Sequence, residues 1–391
     1  MRPTTLLRAT AATALSLALS LAAACADRAA VTEPARLTPS AVARAEAASV
    51  SVGGVFTETN DATANAVLAF DRAADGTLTP AGSFATGGRG IGGTTDPLVS
   101  QYALVLSGDR RFLLVVNAGS DDISVFEIQS SPRLRLVQRI AAGGSRPVSL
   151  AIGHDRVYAL NQGSNTLTGF RYVQGRLVAE PSWTRPLGPN AAGAAAVRFS
   201  RDGRLLAVTE RASATIDTYL VQAGGALSQP ISNPSNGAAP FGFDFTNTRR
   251  LVVSEAGPGT ASGYTPRANG TLEVRTASAP TLQRAPCWLI VTPDGRFAYT
   301  ANAGSATLTG FAVSPTAQLS LLVPSGVSAD LGTGATPLDL DVTPDGRFIY
   351  VLKAGAGTIG ALARSPNGVL TPLADTPAQA ARSGQQGLAA Y

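Results

Sequence analysis

Short apolar stretches alternate with turn sequences along most of the chain, and this alternation repeats. The clearest copy spans residues 291–311, where a Pro-Asp-Gly-Arg turn, an apolar strand, an Asn-Ala-Gly-Ser turn and a second strand follow one another. Six copies align on the residue that starts the second turn, namely Asn117, Asn161, Glu210, Glu255, Asn302 and Lys353. Repeats of roughly 40–50 residues with several short strands each are typical of propeller blades.

A seventh copy is divided between the two ends of the repeat region. Residues 55–84 resemble the other copies but lack the first strand, and a matching strand occurs at residues 387–391. The pattern therefore predicts an all-β, seven-bladed β-propeller over residues 50–391. Pairing of the C-terminal strand with the N-terminal blade would close the ring and leave only short sheet edges.

Alternation within each blade's first strand predicts which side chains face the central channel. The first strand of a propeller blade is innermost, and successive side chains of a strand point to opposite faces. One alternate set is apolar in every copy, as expected for packing between blades. The other set is mixed, and we expect it to face the channel; its charged and aromatic members are Arg198, Asp244, Trp288, Asp339 and Asp341. Arg198 and Asp244 lie at the same depth in neighbouring blades and could form an ion pair.

The strand order also predicts a ring of polar residues around one mouth of the channel. Second turns and the loops that enter the first strands lie on the same face, so we expect these residues there: Asn117, Asn161, Glu210, Glu255, Asn302 and Lys353, with Asn60 as a seventh member. For the asparagines the alternative is structural, because asparagine often bonds the backbone of tight turns. For the glutamates and Lys353, the alternatives are surface charge balance and a site in which a carboxylate acts as a general base or holds a cation.

Composition limits the other chemistry. The chain has one histidine and two cysteines, which excludes a metal site built on histidine or cysteine and a Cys–His nucleophile pair. The histidine, His154, is expected on the face opposite the mouth. Oxygen ligands for Ca²⁺ could come from Asp244, Asp339, Asp341 and Glu255, and no other cofactor is indicated. Trp288 could stack on a ligand or fill the channel. The net charge of +5 comes from scattered arginines, which argues against nucleic-acid binding.

The first 24 residues have the pattern of an export signal, with Arg2 and Arg8 before an apolar Ala/Leu stretch and small residues. A membrane span is the alternative, but the stretch is short for a bilayer core. Cys25 follows a sequence similar to a lipoprotein cleavage box and is a candidate lipidation site, while ordinary cleavage nearby is the alternative. Residues 25–49 are predicted to form a flexible tether. We therefore expect an exported protein, in the periplasm or at the cell envelope, that contacts a membrane only through a lipid on Cys25. Cys287 would then have no disulfide partner.

The repeated PDGR turn, the split blade and the paired sequences APCWLIVTPDGR and TPLDLDVTPDGR resemble the seven-bladed lactonase family. That family includes 6-phosphogluconolactonase-like and carboxymuconate-cyclising proteins. The resemblance implies a site formed by a His in one first strand and by an Arg and a Glu in the next blade. Glu210 matches the Glu, whereas the His position falls near residues 147–149 and the Arg position within 193–196, where neither residue type occurs. Arg198 is the nearest arginine to the second of these positions.

Two functional hypotheses follow. In the first, the protein opens or forms a lactone of a small polar, anionic metabolite at the channel mouth. Glu210 would be the general base, and Lys353 or Arg198 would stabilise carboxylate or oxyanion charge. In the second, a non-catalytic propeller at the cell envelope serves as a platform for ligand binding or protein interaction. In either case we expect a monomer.

Overall fold

The computed structural model describes residues 51–129, 132–247 and 249–391. The predicted export signal, the tether and Cys25 lie outside these residues. No helix within the described part of the chain is long and apolar enough to cross a membrane.

The described residues form seven separate antiparallel sheets, numbered here as blades 1 to 7. Blades 1 to 4 contain the following strands and one 3₁₀ turn: β1 Ser51–Glu58, β2 Ala66–Ala73 and β3 Leu78–Ala85 in blade 1; β4 Leu104–Leu106, β5 Phe112–Asn117, β6 Asp122–Ile128 and β7 Leu134–Ala141 in blade 2; β8 Pro147–Gly153, β9 Arg156–Asn161, β10 Thr166–Val173, β11 Arg176–Ala179, the 3₁₀ turn Pro181–Trp183 and β12 Arg185–Pro186 in blade 3; β13 Ala194–Phe199, β14 Leu205–Glu210, β15 Thr215–Leu220 and β16 Ile231–Pro234 in blade 4.

Blades 5 to 7 and the closing strand are as follows: β17 Pro240–Phe245, β18 Leu251–Glu255, β19 Thr260–Pro266 and β20 Leu272–Pro280 in blade 5; β21 Pro286–Val291, β22 Phe297–Asn302, β23 Thr307–Val313, β24 Leu319–Leu321 and β25 Ala329–Asp330 in blade 6; β26 Pro337–Val342, β27 Phe348–Lys353, β28 Thr358–Arg364, β29 Leu370–Pro372 and β30 Thr376–Pro377 in blade 7; β31 Gln386–Ala390, which returns to blade 1.

Blade 1 has the strand order β3-β2-β1-β31, so the last strand of the chain completes the first blade. Val55 pairs with Ala390 and Phe56 with Ala389 in an antiparallel register. The seven-bladed propeller and its closure by the C-terminal strand are therefore confirmed.

The first turn of a blade is held by a short side-chain network. In blade 6 the Thr292 hydroxyl donates to Asp294 Oδ1 at 2.5 Å and accepts from Phe297 N, while Arg296 N donates to the same Asp294 oxygen at 3.1 Å. These bonds satisfy backbone donors that the tight turn leaves unpaired. The same arrangement recurs in blade 7 around Thr343 and Asp345.

Neighbouring blades are joined by buried tyrosines as well as by apolar packing. Tyr299 of blade 6 donates its hydroxyl hydrogen bond to Gly368 O in the outer hairpin of blade 7, at 2.6 Å. Tyr350 of blade 7 reaches Gly76 O of blade 1 in the same way, at 2.8 Å, and so links the two ends of the ring. Gly76 has a φ of +89°, and a Cβ there would collide with the ring of Phe348, so both the turn and the close approach require glycine.

The innermost strands are bridged by side chains of the channel-facing set. Asp244 Oδ2 accepts from Val291 N of the next blade at 3.2 Å. Asp339 Oδ2 accepts from Leu388 N at 3.2 Å and Asp341 Oδ2 from Ala390 N at 2.9 Å, so both carboxyl groups hold the closing strand β31.

The channel itself is filled at its centre by residues 96–102, called the plug below, which belong to the loop between β3 and β4. Ser100 O accepts from Trp288 Nε1 at 2.8 Å, and Gln101 Nε2 donates to Leu289 O at 2.9 Å. The Tyr102 hydroxyl donates to Phe243 O at 2.7 Å, and Gln101 N donates to Ala195 O. The plug thus bonds to several blades at once, and these contacts hold Val99 and Tyr102 at φ values of +52° and +67°, a conformation that costs L-residues energy.

Replacing Leu388 by Asp should test the closure of the ring. Leu388 is 3% exposed in β31 beside Asp339, so Leu388→Asp adds an unpaired carboxyl group to a buried wall that already holds another acid. We expect a loss of unfolding free energy of about 3 kcal/mol or more, measured by chemical denaturation.

The matched control is Val369→Asp, the same chemical change at a position that is 62% exposed, where a change within about 0.5 kcal/mol is expected. Equal denaturation midpoints for the two variants would contradict a closing role for β31.

Candidate functional site

The residues predicted to ring the mouth are buried inside the blades, so the prediction of an exposed polar ring is wrong. Relative exposure is 8% for Lys353 and 1% or less for Asn117, Asn161, Glu210, Glu255 and Asn302. Each residue ends the second strand of its blade, and its side chain lies against the third strand and the incoming loop. The position was identified correctly in the repeat, but its side chain points into the blade rather than into the channel.

The asparagines cap their own second turns. Asn117 Nδ2 donates to Asp122 Oδ1 and to Ser124 Oγ at 2.6 and 2.8 Å. Asn161 bonds Thr168, and Asn302 bonds Thr307 and Thr309, in the same pattern. A Cβ on Gly88 would collide with the Asn117 amide, which shows how closely the incoming loop lies over this side chain.

Glu255 is also fully engaged in structure. Its two carboxyl oxygens accept from Gly237 N at 2.7 Å and from the hydroxyl groups of Thr260, Ser262 and Ser278 at 2.5, 2.6 and 3.0 Å. Four donors leave no room for a substrate or a cation on this carboxylate. Its predicted role in ligand binding is therefore not supported.

Lys353 forms an ion pair with Asp375 within its own blade. Nζ lies 2.5 Å from Asp375 Oδ2, and the lysine side chain is 10% exposed. Removing Lys353 from this carboxylate to bind a substrate would leave a nearly buried charge without its partner. Its predicted contact with an anionic substrate is therefore not supported.

The seventh member of the set is Glu58, not Asn60. Glu58 ends the second strand of blade 1 and accepts from Asn65 Nδ2 at 2.8 Å, while Asn65 also donates to Asn117 Oδ1 of blade 2 at 3.0 Å. Asn60 lies beyond the strand and donates to Gly92 O and Gly384 O instead. Burial raises the pKa of Glu58 to about 8, although the bond from Asn65 lowers it.

Glu210 belongs to a buried pair of carboxyl groups. Its Oε2 accepts from Ser213 Oγ at 2.8 Å, and the nearby Asp217 accepts from Gly188 N at 2.5 Å and from Ser232 Oγ at 2.6 Å. Burial, and then the charge of Asp217, raise the pKa of Glu210 to about 8. The group is suited to proton transfer, but the loop at residues 188–193 covers it, so its predicted place at an open mouth is wrong.

The channel-facing residues lie apart from the second-turn residues. Arg198 Nε and Asp244 Oδ1 are 2.8 Å apart, so the ion pair anticipated between these blades is present. Arg198 is four residues along β13 from the end that pairs with Glu210, a distance of about 13 Å. Arg198, Glu210 and Lys353 therefore do not form a common site.

Trp288 is 1% exposed and packs edge-on against Phe241 with ring centroids 5.0 Å apart, besides its bond to the plug. The residue fills the channel and offers no free face to a ligand, so the stacking alternative is wrong.

The predicted Ca²⁺ ligands also serve other contacts. Asp244, Asp339 and Asp341 direct their oxygens to backbone N–H groups, and no group of three or more His, Cys, Asp or Glu side chains in the described ranges is arranged to hold a metal ion. Calcium binding stays an untested prediction.

A different group of residues lies where the plug meets the second-turn face, and this opening is called the mouth below. It contains Asp96 at the start of the plug, Arg146 before β8, Arg211 after β14, Cys287 in β21 and Gln386 in β31. Arg146 Nη2 donates to Pro97 O at 3.0 Å, next to Asp96. Arg146 Nε and Arg211 Nε are buried and have no hydrogen-bond partner among the described residues.

The electrostatics of the mouth favour proton transfer by Asp96. Asp96 Oδ1 accepts from Val99 N at 2.9 Å, and the side chain stays partly exposed. Burial raises the pKa of Asp96 to about 7, against the opposing effects of the Val99 bond, the charge of Arg211 and the amide of Gln386. A carboxyl group with this pKa can accept and return a proton near neutral pH. Burial also raises the pKa of Cys287 to about 12, so this thiol stays protonated and is not a nucleophile.

Sequence reasoning missed this group for identifiable reasons. Arg146 directly precedes the stretch that matches the family's His position, and Arg211 directly follows Glu210, so the family positions gave an indirect signal. Asp96 had no signal, because it lies in a loop without a counterpart in the other repeats.

The fold is that of a seven-bladed propeller closed by its C-terminal strand. The sequence model of the family described as "Lactonase, 7-bladed beta-propeller" matches residues 62–182, 179–265 and 267–382. The chain belongs to this family. A search of curated proteins gave no match.

Solved structures support the same architecture. A proposed 6-phosphogluconolactonase from Bacteroides uniformis is 19% identical and superposes with a TM-score of 0.68, over 87% of this chain and 99% of that one. The periplasmic gluconolactonase PpgL of Pseudomonas aeruginosa is also 19% identical, with a TM-score of 0.64 over 86% and 98%. A protein from Lactobacillus plantarum is 19% identical, with a TM-score of 0.70 over 88% and 100%. At these identities the likeness concerns the fold.

The buried glutamate of blade 1 should make stability depend on pH. Because the folded-state pKa of Glu58 is raised to about 8, its protonated form is favoured in the native state, and stability falls as the pH rises from about 5 to 8. Glu58→Gln removes this dependence. Between pH 5 and pH 8, the unfolding free energy of the variant should fall by roughly 2–4 kcal/mol less than that of the unmodified protein. Denaturant titration at several pH values would measure this difference.

Glu127→Gln, a change on a half-buried side chain of β6 paired with Arg135, is the control, and its profile should run parallel to that of the unmodified protein. A parallel profile for Glu58→Gln as well would mean that Glu58 does not titrate in this range.

Proposed function

We propose that the protein is an exported lactonase that hydrolyses the lactone of a small hydroxylated, anionic metabolite at the mouth. The observation that carries this proposal is the convergence of one carboxyl group, Asp96, with two guanidinium groups, Arg146 and Arg211, around the outer end of the plug. Membership of the lactonase family supports the reaction class.

In this proposal Asp96 is the general base. Ionised Asp96 takes a proton from a water molecule while the water oxygen attacks the lactone carbonyl carbon and forms a tetrahedral oxyanion. Arg211 or Arg146 donates hydrogen bonds to that oxyanion. The ring C–O bond then breaks, and protonated Asp96 returns its proton to the leaving alkoxide. The product is the open-chain hydroxy acid, and one water is consumed.

The arginines also favour an anionic substrate. A guanidinium group binds carboxylate or phosphate through paired hydrogen bonds, and two such groups beside a single carboxylate leave the mouth with a positive balance. A lactone with a further acidic group is therefore favoured over a neutral one, and the mechanism requires no cofactor.

Export is part of the same proposal. It rests on the signal-like pattern of residues 1–24 and the candidate lipidation residue Cys25. The Pseudomonas aeruginosa relative is described as periplasmic, which is consistent with lactone chemistry in that compartment. Export argues against a phosphorylated cytoplasmic sugar lactone as the substrate.

Asp96→Asn tests the assignment of the base. We expect kcat/KM for a sugar-acid lactone to fall about 10²-fold or more, because the amide cannot take the proton from water. In the unmodified enzyme kcat/KM should rise with pH through about 7 as Asp96 ionises, and this limb should be lost in the variant. A lactone panel followed by acid release would provide both measurements.

Asp75→Asn, in an exposed turn of blade 1 where the amide oxygen can still accept from Thr77 N, is the control and should leave the rate unchanged. Glu210→Gln completes the set. A rate lost in Glu210→Gln and kept in Asp96→Asn would overturn the assignment of Asp96. Ligand binding without turnover of any lactone would overturn the proposal of catalysis.

Arg211→Gln tests substrate charge. Loss of one guanidinium group should raise KM for an anionic lactone about tenfold or more and change KM for a neutral lactone much less. Arg176→Gln, on the exposed outer strand β11, is the control. An equal change in KM for both lactones would contradict charge recognition by Arg211.

A further inference from the structure

The channel holds a second chamber on the far side of the plug. A cavity of about 650 Å³ opens on the first-turn face, between the first strands and first turns of blades 2, 3 and 4. Tyr102, Arg198 and Asp341 lie on its walls, together with the turn residues Ser107–Arg110 and His154. A volume of this size lies within the range of small-molecule sites.

Arg198 is the fixed donor of this cavity. Its Nε lies 2.8 Å from Asp244 Oδ1, and its Cζ lies 4.4 Å from the centroid of the Tyr102 ring, so the guanidinium plane is held from two sides. The Arg198 side chain is 36% exposed, whereas its partner Asp244 is 5% exposed. Within the described ranges, no carbonyl or carboxylate accepts a hydrogen bond from its two Nη groups. These groups are free to donate a pair of bonds to a carboxylate.

The other charges limit the ligand. Asp109 and Asp341 line the cavity together with Arg110 and Arg201, so the charges of the wall apart from Arg198 balance one another and favour no ligand with several charges. A ligand with one carboxylate matches the one pair of Nη groups that Arg198 presents to the cavity. More of the remaining wall is polar than apolar, and the backbone of the first turns at residues 107–110 and 153–154 lies along it, which suits hydroxyl groups better than an alkyl chain.

We propose that this cavity is a second ligand site, separate from the mouth, that binds a hydroxylated monocarboxylate such as an aldonate. The plug separates the two sites, with Asp96 at the mouth and Tyr102 in the cavity wall. The site requires only the Arg198 cluster and the cavity, and its existence does not depend on lactonase activity at the mouth.

Calorimetry with three matched probes tests the ligand class. D-gluconate carries the carboxylate and the hydroxyl groups, glucitol keeps the hydroxyl groups without the carboxylate, and hexanoate keeps the carboxylate without the hydroxyl groups. We expect gluconate to bind at least tenfold more tightly than either of the others. Equal affinity for glucitol and gluconate would overturn the role of Arg198.

Gly108→Trp tests the location without touching the ion pair. A Cβ on Gly108 has no atom within 4 Å, so a bulky side chain can enter the cavity opening without a backbone collision. Gluconate affinity at this site should fall tenfold or more, while Ala74→Trp, in an exposed turn of blade 1, should leave it unchanged. Arg198→Gln should weaken gluconate to a similar extent, although loss of the Asp244 partner also lowers stability.

Arg211→Gln separates this site from the mouth. Gluconate binding that survives Gly108→Trp and is lost in Arg211→Gln would place the ligand at the mouth and overturn the proposal. Loss in Gly108→Trp supports the cavity site even if the purified protein turns over no lactone. Failure of the second site and failure of the lactonase proposal are thus distinguishable.

Discussion

The seven innermost strands lie side by side around the channel without pairing with one another, and the rest of the structure depends on how their free edges are satisfied. Each is the terminal strand of its own sheet. A buried N–H group without a partner costs about 1–3 kcal/mol, so unpaired strand edges in the buried centre of the channel would destabilise the fold. Two features satisfy these edges. Channel-facing side chains such as Asp244 and Asp339 accept hydrogen bonds from backbone N–H groups of the next blade. The plug also forms hydrogen bonds to several blades through its backbone and its side chains.

The plug has a consequence for function, because it separates the mouth from the cavity on the first-turn face. Its bonds to Trp288, Leu289 and Phe243 are made deep in the channel, so neither end of the plug can move far without breaking several of them. A ligand that enters from the second-turn face meets Asp96 and the two arginines, and one that enters from the first-turn face meets Arg198 and Tyr102. The strained φ values of Val99 and Tyr102 are tolerated because these contacts over-determine the conformation.

The fold could be predicted from the sequence because it is encoded many times. Each copy repeats the same turn residues and the same alternation of apolar positions, so a strand that is unclear in one copy can be assigned from the others. The split blade follows from counting the strands. The candidate site is encoded once, in a loop that has no counterpart elsewhere in the chain. Burial raises the pKa of Asp96, and the groups that oppose this shift, Arg211 and Gln386, come from distant blades. A repeat alignment shows neither that Asp96 is buried nor which residues lie close to it. The family pattern, in contrast, locates the positions next to Arg146 and Arg211.

Variation among equivalent positions is a weak guide to function here, and the second-turn residues explain why. The asparagines at this position face Ser124, Thr168 and Thr309, each seven residues further along. Lys353 instead faces Gly360, where a Cβ would approach the lysine Cδ to 2.9 Å, so the longer side chain requires the smaller partner. The variation therefore compensates for packing within each hairpin. Glu210 is the exception, because it faces a second acid, Asp217. This pair is accommodated by a change in protonation, as the raised pKa of Glu210 indicates, rather than by a change in side-chain size. Burial raises the pKa of both Asp96 and Glu210, and accessibility decides between them, because Asp96 is partly exposed while Glu210 is buried.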